Sequence, residues 1–125
     1  MQVHEEFNIG GSIVKQDDRY VVTDNPILKN LVVSKTVLNP QQATTGHSHV
    51  GQEEVYIFTS GSGVMIIDTK YRVPVKKGTT VLVEDGEFHK VLNNAKKKKL
   101  EFVCIFDGRR EDPRPYNGPS NPSER

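Results

Sequence analysis

Between residues 31 and 106 the chain is cut into short runs of β-branched and aromatic residues, each closed by residues that turn the backbone. Residues 31–38 (LVVSKTVL), 55–59, 64–68, 71–75, 79–84, 89–92 and 100–106 are rich in Val, Ile, Thr, Tyr and Phe. Those side chains fit a pleated, half-buried surface. Asn39-Pro40, Gly61-Ser62-Gly63, Lys77-Gly78, Asp85-Gly86 and Asn93-Asn94 lie between the runs and supply the backbone conformations that tight turns need. No segment keeps apolar residues at a 3.6-residue period, so helix is expected to be scarce. Many short strands at close spacing predict an all-β sandwich or barrel, and 125 residues suit one domain.

The ends read differently. Residues 1–30 hold two weaker strand candidates, 12–15 and 19–23, before the Asp24-Asn25-Pro26 break, while residues 108–125 carry four of the seven prolines and almost no aliphatic side chains. Such a tail cannot build a core, and its last residues are expected to be disordered. The organisation expected is therefore an N-terminal extension (1–30), a barrel (31–107) and a proline-rich tail (108–125).

A formal net charge of +1 gives no electrostatic reason for a polyanionic partner, and no nucleic-acid partner is expected. The exception, Lys96-Lys97-Lys98-Lys99, precedes an apolar run and reads as a solvated hairpin tip that blunts aggregation of the next strand. A single cysteine, Cys104, excludes an internal disulfide and fits a reducing compartment. It alternates with Phe102 and Phe106 and reads as a buried, unreactive thiol. No signal-peptide pattern opens the sequence and no apolar run is long enough for a bilayer, so no membrane partner and a cytoplasmic location are expected.

The chemically informative stretch is GHSHVGQEEVY, residues 46–56. On a strand, side chains two residues apart share a face, so His47 and His49 are expected to aim their imidazoles at one point. Glu54 follows after a short connection and shares a face with Tyr56 and Phe58. His89 opens a strand after the Asp85-Gly86 turn and offers a third imidazole. Imidazole with carboxylate suits Zn, Fe, Mn, Co, Ni or Cu(II) and disfavours the all-oxygen sites of Mg and Ca. His4 has no comparable pattern and reads as solvated.

His47-x-His49, four residues, Glu54, six residues, Gly61 resembles the first motif of the cupin superfamily. Gly78, five residues, Glu84-x-Gly86, two residues, His89, three residues, Asn93 resembles the second. The resemblance spans residues 31–107 and implies a single-domain cupin β-barrel (a jelly roll, or double-stranded β-helix). It implies one divalent transition metal held by His47, His49, Glu54 and His89, and it selects Glu54 over the adjacent Glu53 through the interval to Gly61. Two positions depart from the family pattern. Gln41 stands where glycine is usual, and Glu84 where proline is usual; a local change of backbone is the plain expectation at both.

Tyr56 and Phe58, following Glu54 on its face, and Val91, in the phase of His89, are expected to line the interior beside a substrate. Asn93 is expected to stabilise a turn. Lys35 interrupts the strand 31–38, where an inward charge is costly unless paired or functional. If Lys35 points in, it grips an anionic substrate. If Ser34 and Thr36 point in, the pocket suits an uncharged polar ligand. The residues alone do not choose.

The resemblance implies a metal-dependent enzyme acting on a small polar molecule, a carbohydrate or sugar phosphate, as mannose-6-phosphate isomerase-like cupins do. There the metal polarises a carbonyl or binds adjacent hydroxyls, although no general base stands out. Three histidines and a glutamate also match oxygen-using cupins, so a dioxygenase is the first alternative; a non-catalytic binding or sensor protein is the second. Compact cupins commonly pair, and residues 1–30 are expected to supply a strand to a homodimer.

Overall fold

The computed structural model describes residues 1–108; the expectation for the proline-rich tail falls almost wholly outside these residues. Among them there are nine strands: β1 (Ser12–Gln16), β2 (Tyr20–Asn25), β3 (Leu31–Leu38), β4 (Glu54–Ser60), β5 (Ser62–Ile67), β6 (Tyr71–Lys76), β7 (Thr80–Val83), β8 (His89–Leu92) and β9 (Leu100–Asp107). They form a six-stranded sheet in the order β1-β2-β3-β9-β4-β7 and a three-stranded sheet in the order β6-β5-β8. All pairings are antiparallel. This is the all-β jelly roll expected, and no helix among the described residues is long and apolar enough to cross a membrane.

Alternation along the strands builds the core. In β3 the even-numbered residues Val32 to Leu38 are buried and the odd-numbered ones are not. Tyr20, Val22, Phe58, Met65, Val91, Leu100 and Phe102 meet between the sheets with almost no exposed surface. Phe58, Tyr56 and Phe102 form an aromatic group with ring centroids 5.3–6.4 Å apart, within the range of favourable ring contacts.

The chain passes from the large sheet to the small one through a single residue, Gly61, between β4 and β5. Its φ is 83°, and a Cβ there would lie 2.3 Å from the Lys99 carbonyl oxygen. Only glycine satisfies both demands. At the same end of β5, Asn93 staples the lysine loop. Its amide donates to the carbonyls of Leu38 (3.0 Å) and Lys98 (2.8 Å), and its oxygen accepts from the Ala95 amide at 3.0 Å. Lys96 to Lys99 are exposed, as a solvated tip requires.

Residues 1–30 are continuous with the barrel. β2 pairs along its whole length with β3, from Tyr20↔Leu38 to Asn25↔Val33, and β1 lies outside it at the sheet edge. Tyr20 and Val22 are core residues, so the extension is anchored by burial as well as by hydrogen bonds.

Gln41 adopts the left-handed conformation, with φ 61°, in the turn closed by the Gln42 amide on the Asn39 carbonyl at 3.3 Å. With Pro40 before it, this is a type II arrangement, whose third position favours glycine. The departure from the family pattern therefore leaves a left-handed turn occupied by a side chain that resists it. Gln41→Gly is expected to raise unfolding stability by about 0.5–1 kcal/mol, the left-handed penalty less the entropy of glycine. Thermal and urea denaturation check this; no gain would mean the turn relaxes around Gln41.

Candidate metal centre

Two backbone hydrogen bonds set the site. The His47 amide donates to the His89 carbonyl at 3.2 Å, and the His89 amide donates to the His47 carbonyl at 3.0 Å. This isolated bridge is a narrow antiparallel pair, in which facing residues exchange both bonds and hold their Cα atoms about 5.5 Å apart. The imidazole centroids lie 4.4 Å apart. The residue before each histidine supports the pair: Gly46 lies against the ring of Phe88, and a Cβ on Gly46 would fall 2.1 Å from that ring. Sequence reading missed this packing, because a glycine before His-x-His shows no sign of the ring that needs its space.

Glu54 comes from the opposite sheet. As the first residue of β4 its side chain points inward, and its Oε2 lies 2.6 Å from His89 Nε2, with both side chains buried. Nearest donor atoms of His47, Glu54 and His89 all lie within 4.8 Å of one another. Donors bound to one transition-metal ion at about 2.0–2.2 Å can be no more than about 4.4 Å apart, so small side-chain adjustments close this trio on a single ion.

The proton inventory of His89 also fits a cation. Its Nδ1 lies 2.9 Å from the Glu87 carbonyl oxygen. A carbonyl only accepts, so Nδ1 carries the proton and the neutral ring keeps its lone pair on Nε2. That lone pair faces the Glu54 carboxylate in a close contact that is not aligned as a hydrogen bond from Nε2. Two electron-rich atoms at this distance need a positive charge between or upon them, from a metal ion or a proton. Burial works to lower the His89 pKa, but Glu54 beside Nε2 and the Glu87 carbonyl at Nδ1 outweigh it and hold the imidazole above its ordinary value. The hydrogen bond at Nδ1 is also what fixes the ring of a metal-bound histidine. Being made to a backbone carbonyl, it leaves no mark in the sequence.

His49 stands apart from the trio. Residues 48 and 49 lie in an irregular segment, not on a strand, so the expected sharing of a face by His47 and His49 has no regular pleat to enforce it. The His49 ring is half-buried, with its centroid 4.7 Å from that of His47 at an interplanar angle of 50°. It borders the trio, and its nitrogens fall outside the 4.8 Å set.

The other expected site residues divide. Tyr56 reaches the site, its ring edge-on to His89 with centroids 5.6 Å apart. Val91 is buried two residues along β8 from His89, on the same inward face. Phe58 lies one step deeper and packs on Phe102 as core. Lys35 is on the other side of the sheet: Ser34 and Thr36 are the inward, buried residues, and Lys35 pairs with Glu101 at 3.6 Å. The substrate-gripping role expected of an inward Lys35 is therefore corrected, because alternation sends its ammonium outward to a carboxylate on the neighbouring strand of the same sheet. The inward face has a polar row instead. Register aligns Asp24 with Ser34, Ser34 with Cys104 and Cys104 with Tyr56, and all four are buried. Asp24, at the end of a weak strand candidate, gave no sequence signal of facing inward.

Glu84 is exposed and begins a turn whose amide donates to the Glu87 carboxylate at 3.0 Å. Proline, usual there, has no N–H to give. The turn uses that bond, and the Glu84 side chain stays in solvent.

Residues 34–106 match the Cupin_2 model, described as a cupin domain. No match was found among the curated proteins. Among solved structures the chain is similar to a predicted oxalate decarboxylase from Thermotoga maritima, with 26% identity and a TM-score of 0.60 over 70% of this chain and 80% of that one. It is similar to KdgF from Halomonas sp., with 11% identity and a TM-score of 0.67 over 80% and 90% of the two chains. It is also similar to a sugar phosphate isomerase of the cupin superfamily from Silicibacter pomeroyi, with 20% identity and a TM-score of 0.65 over 72% and 60%. With this match over more than half its length, two antiparallel sheets, and His47, Glu54 and His89 gathered across them, the chain belongs to the cupin family.

Proposed function

We propose that this cupin is a metal-dependent enzyme that binds one divalent transition metal through His47, Glu54 and His89, with His49 completing the set, and acts on a small uncharged polar molecule of the carbohydrate class. One observation carries the metal reading: a buried carboxylate and a buried imidazole whose free lone pair faces it at 2.6 Å, beside a third ligand-bearing residue. When bound, the metal supplies a Lewis acid for a carbonyl or a pair of hydroxyls. The chain's own residues do the rest. His47 and His89 are held by their mutual backbone bonds, and the Tyr56 ring is placed edge-on against His89.

The inward wall supports an uncharged ligand over an anionic one. Lys35, the candidate for gripping a phosphate or carboxylate, lies outside, while Ser34 and Thr36 hydroxyls and the Asp24 carboxylate lie inside. Hydroxyls in the wall suit a neutral polar ligand, whereas an anion there meets no ammonium from β3. An isomerisation of a neutral sugar fits this wall better than chemistry on a sugar phosphate. A cytoplasmic setting suits the single buried thiol, Cys104.

The test is metal analysis of protein purified without chelator, followed by a screen of neutral sugars, sugar phosphates and small acids with and without oxygen. Turnover of a neutral sugar with redox-inert Zn and no oxygen is expected. Oxygen consumption tied to a redox metal would replace this reading with a dioxygenase, and saturable binding without turnover would replace it with a sensor.

A further inference from the structure

The segment that carries His47 runs beside β8 with a break in its register. Ala43 faces Leu92 and His47 faces His89, so the segment takes four residue steps where β8 takes three. One residue is extra, which makes a β-bulge. Opposed residues of an antiparallel pair share a face. His89 and Val91 are the inward, buried residues of β8 and Leu92 is not, so Ala43 lies on the outward face with Leu92. A regular pleat would keep Ala43, Thr45 and His47 on one face and send His47 outward. The extra residue breaks that phase and turns His47 inward to His89 and Glu54. Without the bulge the trio would not form.

Two threonines hold the bulge. The Val91 amide, whose regular partner would be a backbone carbonyl, donates instead to the Thr44 hydroxyl at 3.0 Å. The Thr44 amide donates to the Val91 carbonyl at 2.9 Å. Thr45 is exposed, and its hydroxyl accepts from Arg19 Nη1 at 2.7 Å. Arg19 sits at the tip of the β1–β2 hairpin and is itself fixed. Its guanidinium donates to the Asp17 carboxylate, with a shortest bond of 2.9 Å, and to the Tyr20 hydroxyl at 3.1 Å. It lies 4.4 Å from the centre of the Tyr20 ring, a favourable distance for a cation over an aromatic face. Tyr20 is a core residue, so the guanidinium rests on an immobile support. A planar fork ordered in this way loses little freedom on bonding Thr45. The same hairpin tip holds the start of the segment. The Asn39 amide donates to the Arg19 carbonyl at 2.8 Å, and the Asn39 side chain donates to the Asp18 carbonyl at 3.0 Å.

We propose that Arg19 is a positioning residue for His47, acting through Thr45 to hold the bulge that turns His47 toward His89 and Glu54. Arg19 precedes residues 34–106 and lies outside both histidine motifs. The consequence for metal affinity rests on the metal reading; the geometry of the bulge does not.

Two measurements on the full chain test this. Amide hydrogen exchange of the metal-free protein follows the His47 and Val91 amides, whose bonds frame the bulge. Chelator competition measures affinity for Zn. Thr45→Val keeps the shape of the side chain and removes the acceptor. It and Arg19→Ala are each expected to speed exchange at His47 at least tenfold and to weaken Zn binding at least tenfold, with amides of the β3–β9 pair unchanged. The double variant is expected to match the worse single one, because both remove one shared interaction. Thr45→Ser, which keeps the hydroxyl, is expected to match the parent chain. Exchange at His47 indifferent to Thr45→Val would overturn the proposal. So would a uniform acceleration that reaches β3 and β9, which marks a general loss of stability, or faster exchange with unaltered Zn affinity. A parent chain that retains no Zn would sink the metal reading, and the exchange comparison would still decide the role of Arg19.

Discussion

A Glu54→Gln protein is expected to leave purification with almost no metal, while Glu53→Gln retains a full equivalent. The two glutamates are chemically identical neighbours, and the pleat separates them. Glu54 is buried and faces His89 at 2.6 Å, whereas Glu53 is exposed. Glutamine preserves volume and removes the charge, so the loss isolates the carboxylate's role. Metal affinity is expected to fall by at least about 100-fold, the upper range for disturbing the groups around a bound metal. Elemental analysis and competition with a chelating dye measure it. The substitution carries an internal control in the metal-free protein. Without the carboxylate, burial is the largest influence left on His89, and its imidazole is expected to titrate lower than in the parent chain by proton NMR. Metal retention equal in the two variants would sink the assignment of Glu54.

The second large effect is a reversal of pH dependence on metal loading. In the metal-free fold the His89 pKa lies above its ordinary value of 6.5. Below that ordinary value the imidazole is charged in folded and unfolded chains alike, and the folded chain has the whole benefit of the Glu54 contact. As pH rises through the folded pKa the proton leaves and this contribution is lost. Metal binding runs the other way. The ion needs Nε2 unprotonated, so occupancy and the stability linked to it grow as pH rises. Melting temperatures measured from about pH 6 to pH 8, where most carboxylates are already ionised, are expected to fall with pH in chelator and rise with pH in excess Zn. Parallel trends would mean that proton and metal do not share His89.

Much of this was readable beforehand because alternation is a direct physical signal. The run 31–38 occupies β3 over the residues expected, and even the weak candidates 12–15 and 19–23 became β1 and β2. The run 79–84 shortened to Thr80–Val83 because the Glu84 amide turns to the Glu87 carboxylate. Alternation did not say which face of β3 points inward. With Val on both faces, the polar residues Ser34, Lys35 and Thr36 offered no decision, and it was made by Glu101 on a strand far away in sequence. A strand apolar on both sides has no readable phase. His89 and Glu54 were legible through spacing. The orientation of His89 was not, because it depends on a backbone carbonyl. The exclusion of His49 from the trio follows from an irregular loop that strand logic does not describe.

Glu54 opens a strand of one sheet and His89 opens a strand of the other, so an ion held by both is a tie between two layers otherwise joined by packing and loops. Everything from β4 through β7 becomes a closed ring of chain, and closing a ring removes conformational freedom from the unfolded ensemble much as a covalent cross-link does. In a reducing compartment, where disulfides do not persist, a coordinated cation is a reversible substitute. With the proposed ion in place, the mouth of this barrel is a fastening whose tightness follows the local supply of metal.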